Sequence, residues 1–250
     1  MNVEKLSKYY GDKKVVSEVS FKLPKGKVIS FIGPNGAGKS TVLNIITRLI
    51  DGDEGKVEFK DIALKDWNSK ELAKKLAILT QKNNVSMKLT VKELVSFGRF
   101  PHSGNNLNEE DHKMIDKAIK YMELEEFENS FIDEISGGQQ QRAYIAMVIA
   151  QDTEFVFLDE PTNNLDIYHS SNMMKLVRRL CDELGKTVIL VLHEINFASV
   201  YSDYIAAFKE GELFKFGPVE EVMTKQNLKE LYNVDFDIQI VKGKPISIYY

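Results

Sequence analysis

Three glycines, a lysine and two hydroxyl residues are concentrated in the stretch FIGPNGAGKST, between Phe31 and Thr41. Glycine backbones can turn successive N–H groups toward one point, and the first N–H groups of a helix have no acceptor within that helix. Such a turn favours an anion. Lys39 adds a full positive charge, and the hydroxyl of Ser40 or Thr41 is an oxygen ligand that suits Mg²⁺. The stretch therefore predicts a phosphate site for a nucleotide with Mg²⁺.

The segments on either side of this stretch support the same interpretation. KVISFI before it is short, apolar and β-branched, whereas STVLNIITRLI after it has apolar residues at helical spacing, including Leu49, and predicts a helix over residues 40–50. An ordinary strand-to-helix turn is the alternative, but the complete pattern G-x-x-x-x-G-K-[ST] favours a phosphate loop. The residues predicted to bind the nucleotide here are Gly33, Pro34, Asn35, Gly36, Ala37, Gly38, Lys39, Ser40 and Thr41.

Acidic residues and a histidine follow two other apolar segments. FVFLDEPTNNLD puts Asp159 and Glu160 at the carboxyl end of a short strand, where parallel sheets bind ligands. Neighbouring side chains on a strand point in opposite directions, so we expect Asp159 to hold Mg²⁺ and Glu160 to polarise a water beside the γ-phosphate. A purely structural strand exit is the alternative. His193 follows VILVL, where it either packs the strand end or hydrogen-bonds the γ-phosphate or the attacking water.

A second anion site, without a lysine, is predicted in the stretch ISGGQQQRAYIAMVIAQ. Ser136 can cap a helix that runs to about Ala150, and Gly137 and Gly138 expose its first N–H groups. A flexible helix start is the alternative. Because this site has no cation of its own, we expect it to meet a phosphate that is already held elsewhere.

Strands that alternate with helices must position these groups. Alternating residues predict hairpin strands within residues 1–26, and GKVEF predicts a further strand. This order predicts an α/β fold with a parallel sheet and helices on both faces. Helices are expected over residues 70–77, 90–97, 108–124 and 168–184. We expect a single domain, 1–250, in which 1–80 and 150–225 form the nucleotide-binding core with a β subdomain, 81–149 a helical subdomain and 226–250 an appendage.

Composition and charge argue against several classes of function. The chain has 33 basic and 37 acidic residues, a net charge of −4, and offers no broad positive field for nucleic acid. Its N-terminus lacks the apolar core of a signal peptide, and the apolar run over residues 188–192 is too short to cross a bilayer. The single cysteine, Cys181, suits a reducing compartment. We expect a soluble, cytosolic protein that can still dock on a membrane partner.

As a set, these residues resemble the ATP-binding subunits of ABC transporters over nearly the whole chain. The phosphate loop is similar to Walker A, FVFLDE to Walker B with its following glutamate, and ISGGQ to the signature motif, with Ile135 where leucine is commoner. Gln81, at the end of the strand-like LAILTQ, resembles the Q-loop glutamine, and NNLD occupies the position of the D-loop. His193 matches the switch histidine. Tyr10 in KYYG resembles the aromatic residue that stacks on adenine, with Tyr9 as the alternative.

The resemblance implies a P-loop NTPase (RecA-like) core with a parallel sheet, an N-terminal antiparallel β subdomain and an inserted helical subdomain. It also implies hydrolysis of ATP, with Mg²⁺, by two copies of the chain packed head to tail. The signature residues of one copy then cover the γ-phosphate bound by the other: Ser136, Gly137, Gly138 and Gln139. The implied catalytic residues are Lys39, Gln81, Glu160 and His193, and the implied Mg²⁺ ligands are Ser40, Gln81 and Asp159.

Shorter stretches resemble the importer ATPases that serve iron siderophores, haem and vitamin B12: VKELVSFGRFPH, QRAYIAMVIAQDT, LDIYH and LKELYNVDFDI. Glu194, where that group commonly has aspartate, and the NN of the D-loop depart from its pattern. The resemblance implies a bacterial importer subunit at the cytoplasmic face of the membrane. Its implied partners are a second copy of itself, integral permease subunits and, indirectly, an extracellular substrate-binding protein.

The cargo implied first is an iron(III)-siderophore, with haem, vitamin B12 or another metal chelate as alternatives. A soluble ABC ATPase that acts on ribosomes or DNA is less favoured. Such proteins usually carry two cassettes or a long coiled-coil insertion, and this sequence has neither. A regulatory subunit without catalysis is disfavoured because Glu160 and His193 are both present.

Overall fold

The structure, a computed structural model, describes residues 1–80, 88–163 and 165–249. The strands are β1 (Asn2–Tyr10), β2 (Lys13–Lys22), β3 (Val28–Ile32), β4 (Glu54–Phe59), β5 (Ile62–Ala63), β6 (Leu76–Leu79), β7 (Phe155–Asp159), β8 (Thr187–Val191), β9 (Tyr204–Lys209), β10 (Glu212–Pro218), β11 (Asp237–Val241) and β12 (Lys244–Ile248). The helices are α1 (Lys39–Ile46), α2 (Ser69–Ala73), α3 (Val91–Ser96), α4 (Phe100–Ser103), α5 (Glu109–Tyr121), α6 (Gly137–Ala150), α7 (Ile167–Asp182), α8 (Ile195–Tyr201), α9 (Val219–Val222) and α10 (Lys225–Tyr232).

The chain divides into two compact units. The first consists of residues 1–67 and the chain from residue 178 onward, and the second of residues 68–177.

None of the helices in the described part of the chain combines the length and the apolar composition that crossing a bilayer requires.

The first unit contains a mixed sheet and an antiparallel sheet. In the mixed sheet β3 lies between β8 and β9 and is parallel to both, while β10 pairs antiparallel with β9. Every residue of β3 and β8 is buried, as expected for parallel strands that are covered on both faces. The antiparallel sheet has the order β2-β1-β4-β5 and contains the hairpin predicted near the N-terminus. A separate hairpin, β11–β12, lies near the C-terminus.

In the second unit, the parallel strands β6 and β7 are accompanied by helices. Leu79 pairs with Leu158, so both strands end at the same edge. Helices α3, α5 and α6 occupy the regions in which helices were predicted, and each begins with a capping box: at Thr90, Asn108 and Ser136 respectively. These reciprocal caps satisfy backbone groups that a helix start would otherwise leave without partners.

Two predicted helices are shorter than expected. The helix predicted over residues 70–77 is α2, which ends at Ala73, because the apolar residues from Leu76 onward pair with β7 as strand β6. The helix predicted over residues 40–50 is α1, which ends at Ile46. Arg48 has a φ of 61° and so cannot continue the helix, which leaves the side chain of Leu49 50% exposed. The expectation that Leu49 belongs to the apolar helix face is wrong.

Candidate nucleotide-binding site

Two positions of the predicted phosphate loop can be occupied only by glycine. Gly33 has a φ of 139°, and a Cβ at this position would lie 2.1 Å from the carbonyl oxygen of Phe208. Gly38 has a φ of 93°, and a Cβ there would lie 2.9 Å from the carbonyl oxygen of Val15. Gly38 is also the N-cap residue of α1 and has no side chain with which to cap it. The first N–H groups of α1 therefore keep their capacity to bind an anion.

The ammonium group of Lys39 lies within this loop. It donates to the carbonyl oxygens of Gly33 at 2.8 Å and Pro34 at 2.9 Å, and the residue is buried. The N–H of Ala37 also donates to the Pro34 carbonyl, at 3.2 Å, which closes the turn. The positive charge is thus fixed beside the N-terminus of α1, whose dipole adds positive potential at the same place.

His193 leaves the sheet next to the phosphate loop. Phe31 in β3 pairs with Val191 in β8, and the N–H of Leu192 donates to the Phe31 carbonyl at 3.1 Å. Because the two strands are parallel neighbours, the loop that starts at Gly33 and the exposed residue His193 emerge at the same edge of the sheet. The first unit thus brings together the residues predicted to bind phosphate and the predicted switch histidine.

The two tyrosines considered for adenine stacking differ in exposure. Tyr10 is the last residue of β1 and is 54% exposed, with the ammonium of Lys8 5.8 Å from its ring centroid. Tyr9 is partly buried, and its backbone N–H donates to the carboxylate of Asp53 at 2.6 Å. The greater exposure of Tyr10 favours it as the stacking residue, which stays a prediction.

The second unit holds the acidic pair, and its geometry differs from the predicted alternation. Asp159 ends β7 and is 8% exposed, but Glu160 lies beyond the strand with a φ of 53°. A left-handed backbone at a residue other than glycine costs roughly 1–2 kcal/mol, and such conformations cluster at functional sites. The direction of the Glu160 side chain is therefore set by a turn and not by strand alternation.

This turn includes a contact that the sequence did not reveal. The side-chain amide of Asn163 donates to Glu160 Oε2 at 3.1 Å, and the backbone N–H of Asn163 donates to the Glu160 carbonyl at 3.0 Å. The sequence pointed to this residue only as part of the unusual NN in the D-loop. A polar side chain four residues beyond the strand end, and three beyond Glu160, was the available signal.

The signature stretch begins α6 as predicted. The hydroxyl of Ser136 accepts from the Gln139 N–H at 3.4 Å, and Gln139 Oε1 accepts from the Ser136 N–H at 2.8 Å. Gln139 therefore helps to cap the start of α6, and the S-x-x-Q spacing could have predicted this structural role. Gly137 and Gly138 are the first two residues of the helix, so their N–H groups belong to its open end.

The predicted site residues thus fall into two groups. The first unit contains Tyr10, the phosphate loop and His193, and the second contains Asp159, Glu160 and the signature residues. Gln81, predicted both as a catalytic residue and as an Mg²⁺ ligand, lies outside the described residues.

Known proteins identify the family. The sequence matches the ABC transporter family over residues 16–163, which is more than half of the chain. The chain belongs to this family. The petrobactin import ATP-binding protein YclP of Bacillus subtilis is 52% identical over 250 residues, which cover 100% of this chain and 99% of the relative. The iron(3+)-hydroxamate import ATP-binding protein FhuC of Bacillus subtilis is 39% identical over 254 residues, which cover 100% of this chain and 94% of the relative.

A solved structure agrees with the fold of this ABC transporter ATPase. The dimeric structure of MJ0796, a bacterial ABC transporter cassette, matches with a TM-score of 0.77 and 33% identity over 87% of this chain and 98% of that chain. The predicted α/β fold with a P-loop NTPase core, a parallel sheet and an N-terminal antiparallel sheet is confirmed. Membership of the family also confirms that the protein is an ATP-binding ATP hydrolase.

Proposed function

We propose that this ABC ATPase energises the import of an iron(III)-siderophore through a membrane permease, at the cytoplasmic face of a bacterial membrane. The main support is the 52% identity, over the full length of both chains, to a petrobactin import ATP-binding protein. The 39% identity to an iron(3+)-hydroxamate import ATP-binding protein supports the same class of cargo. The permease and an external binding protein select the cargo, and this chain supplies the energy of ATP.

The phosphate loop holds the β- and γ-phosphates. Lys39 contributes a fixed positive charge, and the N–H groups at the start of α1 donate to phosphate oxygens. Tyr10 stacks on the adenine ring through its exposed face. His193, at the neighbouring strand end, hydrogen-bonds the γ-phosphate. Each group acts by position and charge, which is the main requirement of phosphoryl transfer.

The residues assigned to Mg²⁺ fit that ion chemically. Ser40 offers a hydroxyl oxygen in the first turn of α1, and Asp159 offers a carboxylate oxygen at the end of β7. Gln81 offers an amide oxygen. Mg²⁺ prefers a few protein oxygens together with phosphate oxygens and water, so a small set of oxygen donors is sufficient. When bound, the ion neutralises charge on the β- and γ-phosphate oxygens.

Glu160 polarises the attacking water. Its carboxylate accepts a hydrogen bond from Asn163, which restrains the orientation of the carboxylate. The left-handed backbone at Glu160 fixes the direction in which the side chain leaves the end of β7. A carboxylate that is held in this way can accept the hydrogen bond of a water molecule without reorganising during the reaction.

Two copies of the chain pack head to tail in this proposal. The signature residues Ser136–Gln139 of one copy then cover the γ-phosphate that is held by Lys39 of the other. The open end of α6 provides N–H groups for this contact, and its capping box keeps that end in place. ATP is part of the interface, so its hydrolysis weakens the interface and opens the dimer. The segment 81–149, which the sequence predicts as the helical subdomain, carries this change to the permease in this proposal.

Replacing Glu160 by Gln tests the catalytic assignment. We expect ATP binding to be retained and turnover to fall by roughly 10²–10⁴, because the amide is a much weaker base than the carboxylate. Binding of a fluorescent ATP analogue and steady-state phosphate release measure the two quantities. Near-normal hydrolysis by the variant would contradict the role of Glu160.

Iron uptake in a deletion strain tests the cargo. The strain is supplied with radiolabelled iron as a catecholate siderophore, a hydroxamate siderophore or haem, with wild-type or E160Q protein restored from a plasmid. We expect wild-type protein alone to restore uptake from a siderophore. Restored uptake of haem alone would contradict siderophore import, and co-purification with rRNA instead of a polytopic membrane protein would contradict the transport role.

A further inference from the structure

His169, in the first turn of α7, is held by the carboxylate of Asp166. Asp166 Oδ1 accepts the backbone N–H of His169 at 2.8 Å and lies 2.8 Å from the ring nitrogen Nδ1. Because a carboxylate can only accept, Nδ1 carries the proton. The ring of Tyr168 meets the imidazole edge to face, with centroids 5.3 Å apart and an interplanar angle of 84°. The imidazole is therefore fixed although the side chain is on the surface.

The fixed imidazole lies against the signature motif. A Cβ added to Gly138 would be 2.6 Å from His169 Cδ2, 3.2 Å from Cγ and 3.3 Å from Nε2. The first of these distances is too short for a real contact, so a side chain at Gly138 would displace the ring. Displacement breaks the hydrogen bond between Nδ1 and Asp166. Gly137, one residue earlier, has no atom within 4 Å of an added Cβ.

We propose that His169 is a positioning residue that fixes the signature motif relative to the D-loop of the same chain. The proposal rests on the proposed function, in which the signature residues cover the ATP of a second copy. The D-loop residue Asp166 lies six residues after Glu160, and Asn163 between them bonds the Glu160 carboxylate. The ring thus joins the segment that carries the water-polarising residue to the start of α6. Loss of the His169 ring lets the open end of α6 shift away from the position in which it covers the γ-phosphate bound by the second copy.

A double-mutant cycle tests the contact itself. With His169 present, Gly138→Ala should lower the melting temperature, because the methyl group displaces the ring. In the His169→Ala background the same change should raise the melting temperature, because alanine favours the helix over glycine and has room there. Gly137→Ala is the matched control and should respond alike in both backgrounds. An effect of Gly138→Ala that is equal in sign and size in the two backgrounds would overturn the proposal.

ATP-dependent dimerisation tests the consequence. All variants carry Glu160→Gln to prevent hydrolysis, and light scattering after size exclusion measures the dimer at increasing ATP. We expect His169→Ala to raise the ATP concentration for half-dimerisation about tenfold, the effect of losing one well-placed contact. Binding of a fluorescent ATP analogue to the monomer should be unchanged. His169→Asn, which retains an N–H donor near the position of Nδ1, should restore most of the dimer, and Lys175→Ala, an exposed change on α7, should have no effect.

The outcomes separate this proposal from the one on which it rests. If the E160Q parent does not dimerise with ATP, the proposed head-to-tail assembly is wrong. If the parent dimerises and the H169A variant dimerises at the same ATP concentration, the assembly stands and the role of His169 is wrong. A loss of dimer that His169→Asn does not restore also contradicts the positioning role, because it would reflect general damage to α7.

Discussion

Asn163 donates to one oxygen of the Glu160 carboxylate at 3.1 Å and belongs to the turn in which Glu160 has a left-handed backbone. Replacing it by Leu keeps a side chain of similar size and removes the donor. We expect kcat to fall roughly five- to thirtyfold, the equivalent of ~1–2 kcal/mol for a hydrogen bond to a charged group. The KM for ATP should change little, because neither residue belongs to the phosphate loop. Steady-state hydrolysis over a range of ATP concentrations measures both constants.

The E160Q variant provides the control for this prediction. Once the carboxylate is an amide, Asn163→Leu should have little further effect on the residual turnover, since the two residues act as a unit. An equal fold-loss in both backgrounds would mean that Asn163 acts independently of Glu160.

At the scale of single residues, the sequence predicted the site residues whose type is dictated by local geometry. Gly33 and Gly38 are required because a Cβ would meet backbone, and Ser136 because a helix start needs a cap. The contact between Asn163 and Glu160 was not predicted, because it depends on the left-handed backbone at Glu160. Strand alternation does not apply to Glu160, because β7 ends one residue earlier, at Asp159.

Among the helices of the second unit, a buried ion pair joins three elements. Arg99, just before α4, is 5% exposed and donates through Nε to Asp111 Oδ1 at 2.8 Å and through its terminal nitrogen to the Ala150 carbonyl at 2.8 Å. Asp111 lies in the first turn of α5 and is 1% exposed, and Ala150 ends α6. Arg99 thus places a cation at the C-terminal end of the signature helix, where the helix dipole favours it.

Replacing Arg99 by Met should destabilise this helical region strongly. The change leaves the Asp111 carboxylate buried without its cation, which typically costs about 3–5 kcal/mol. Unfolding in urea, followed by far-UV circular dichroism, measures the loss. Lys117→Met, an exposed change on α5, is the matched control and should stay within about 0.5 kcal/mol of the wild type. Equal stability of the two variants would contradict a structural role for the ion pair.

The Asp111 carboxylate also makes the free energy of unfolding depend on pH in the acidic range. Burial alone would raise the pKa of Asp111, but hydrogen bonds from the Asn108 N–H, the Ser103 hydroxyl and Arg99 outweigh it and hold the pKa at about 2. An unfolded aspartate has a pKa of about 3.9, so the native state gains roughly 2–3 kcal/mol above pH ~4 and loses it as the pH falls toward 2. We expect Asp111→Asn to flatten this part of the stability curve. A wild type and a variant with parallel curves between pH 4 and pH 2 would contradict the assignment.

At the scale of elements, periodicity predicted the longer helices better than their ends. Helix α5 has an amphipathic pattern and a cap at Asn108, and both are visible in the sequence. The stretch from Lys70 to Ala77 was predicted as one helix, but Leu76 and Ala77 belong to strand β6, which agrees with the strand-like pattern of LAILTQ. Short apolar segments such as LAIL fit either structure, and pairing with β7 decides between them.

Across the whole molecule, contacts between distant parts of the sequence were beyond prediction. Arg99 meets Ala150 and His169 meets Gly138, and no spacing in the sequence relates either pair. The C-terminal segment gives another example, because the sequence predicts an appendage there but not which residues it contacts. In the structure, the C-terminal segment is hydrogen-bonded to strand β9: the ammonium of Lys209 donates to the Glu230 carbonyl at 2.6 Å.

The C-terminal hairpin is bonded to the helix that follows His193. Asn196 in α8 donates to the Ser247 carbonyl at 3.0 Å and accepts, through Oδ1, from the Ser247 N–H and hydroxyl, each at 2.8 Å. Ser199 donates to the Pro245 carbonyl. These bonds fix α8 against β12, and the helix begins two residues after the predicted switch histidine.

Replacing Asn196 by Ala should therefore loosen both elements together. We expect a loss of about 1–3 kcal/mol, because the partly buried partners of the amide are left without bonds, and faster amide hydrogen exchange in α8 and β12. Exchange in α5 should be unchanged, since local opening involves only the elements that share the lost contacts. Gln239→Ala, an exposed change on the same hairpin, is the control and should alter neither quantity. If α8 exchanges at the wild-type rate while β12 exchanges faster, the hairpin does not support the helix, and the appendage can be removed without affecting the region around His193.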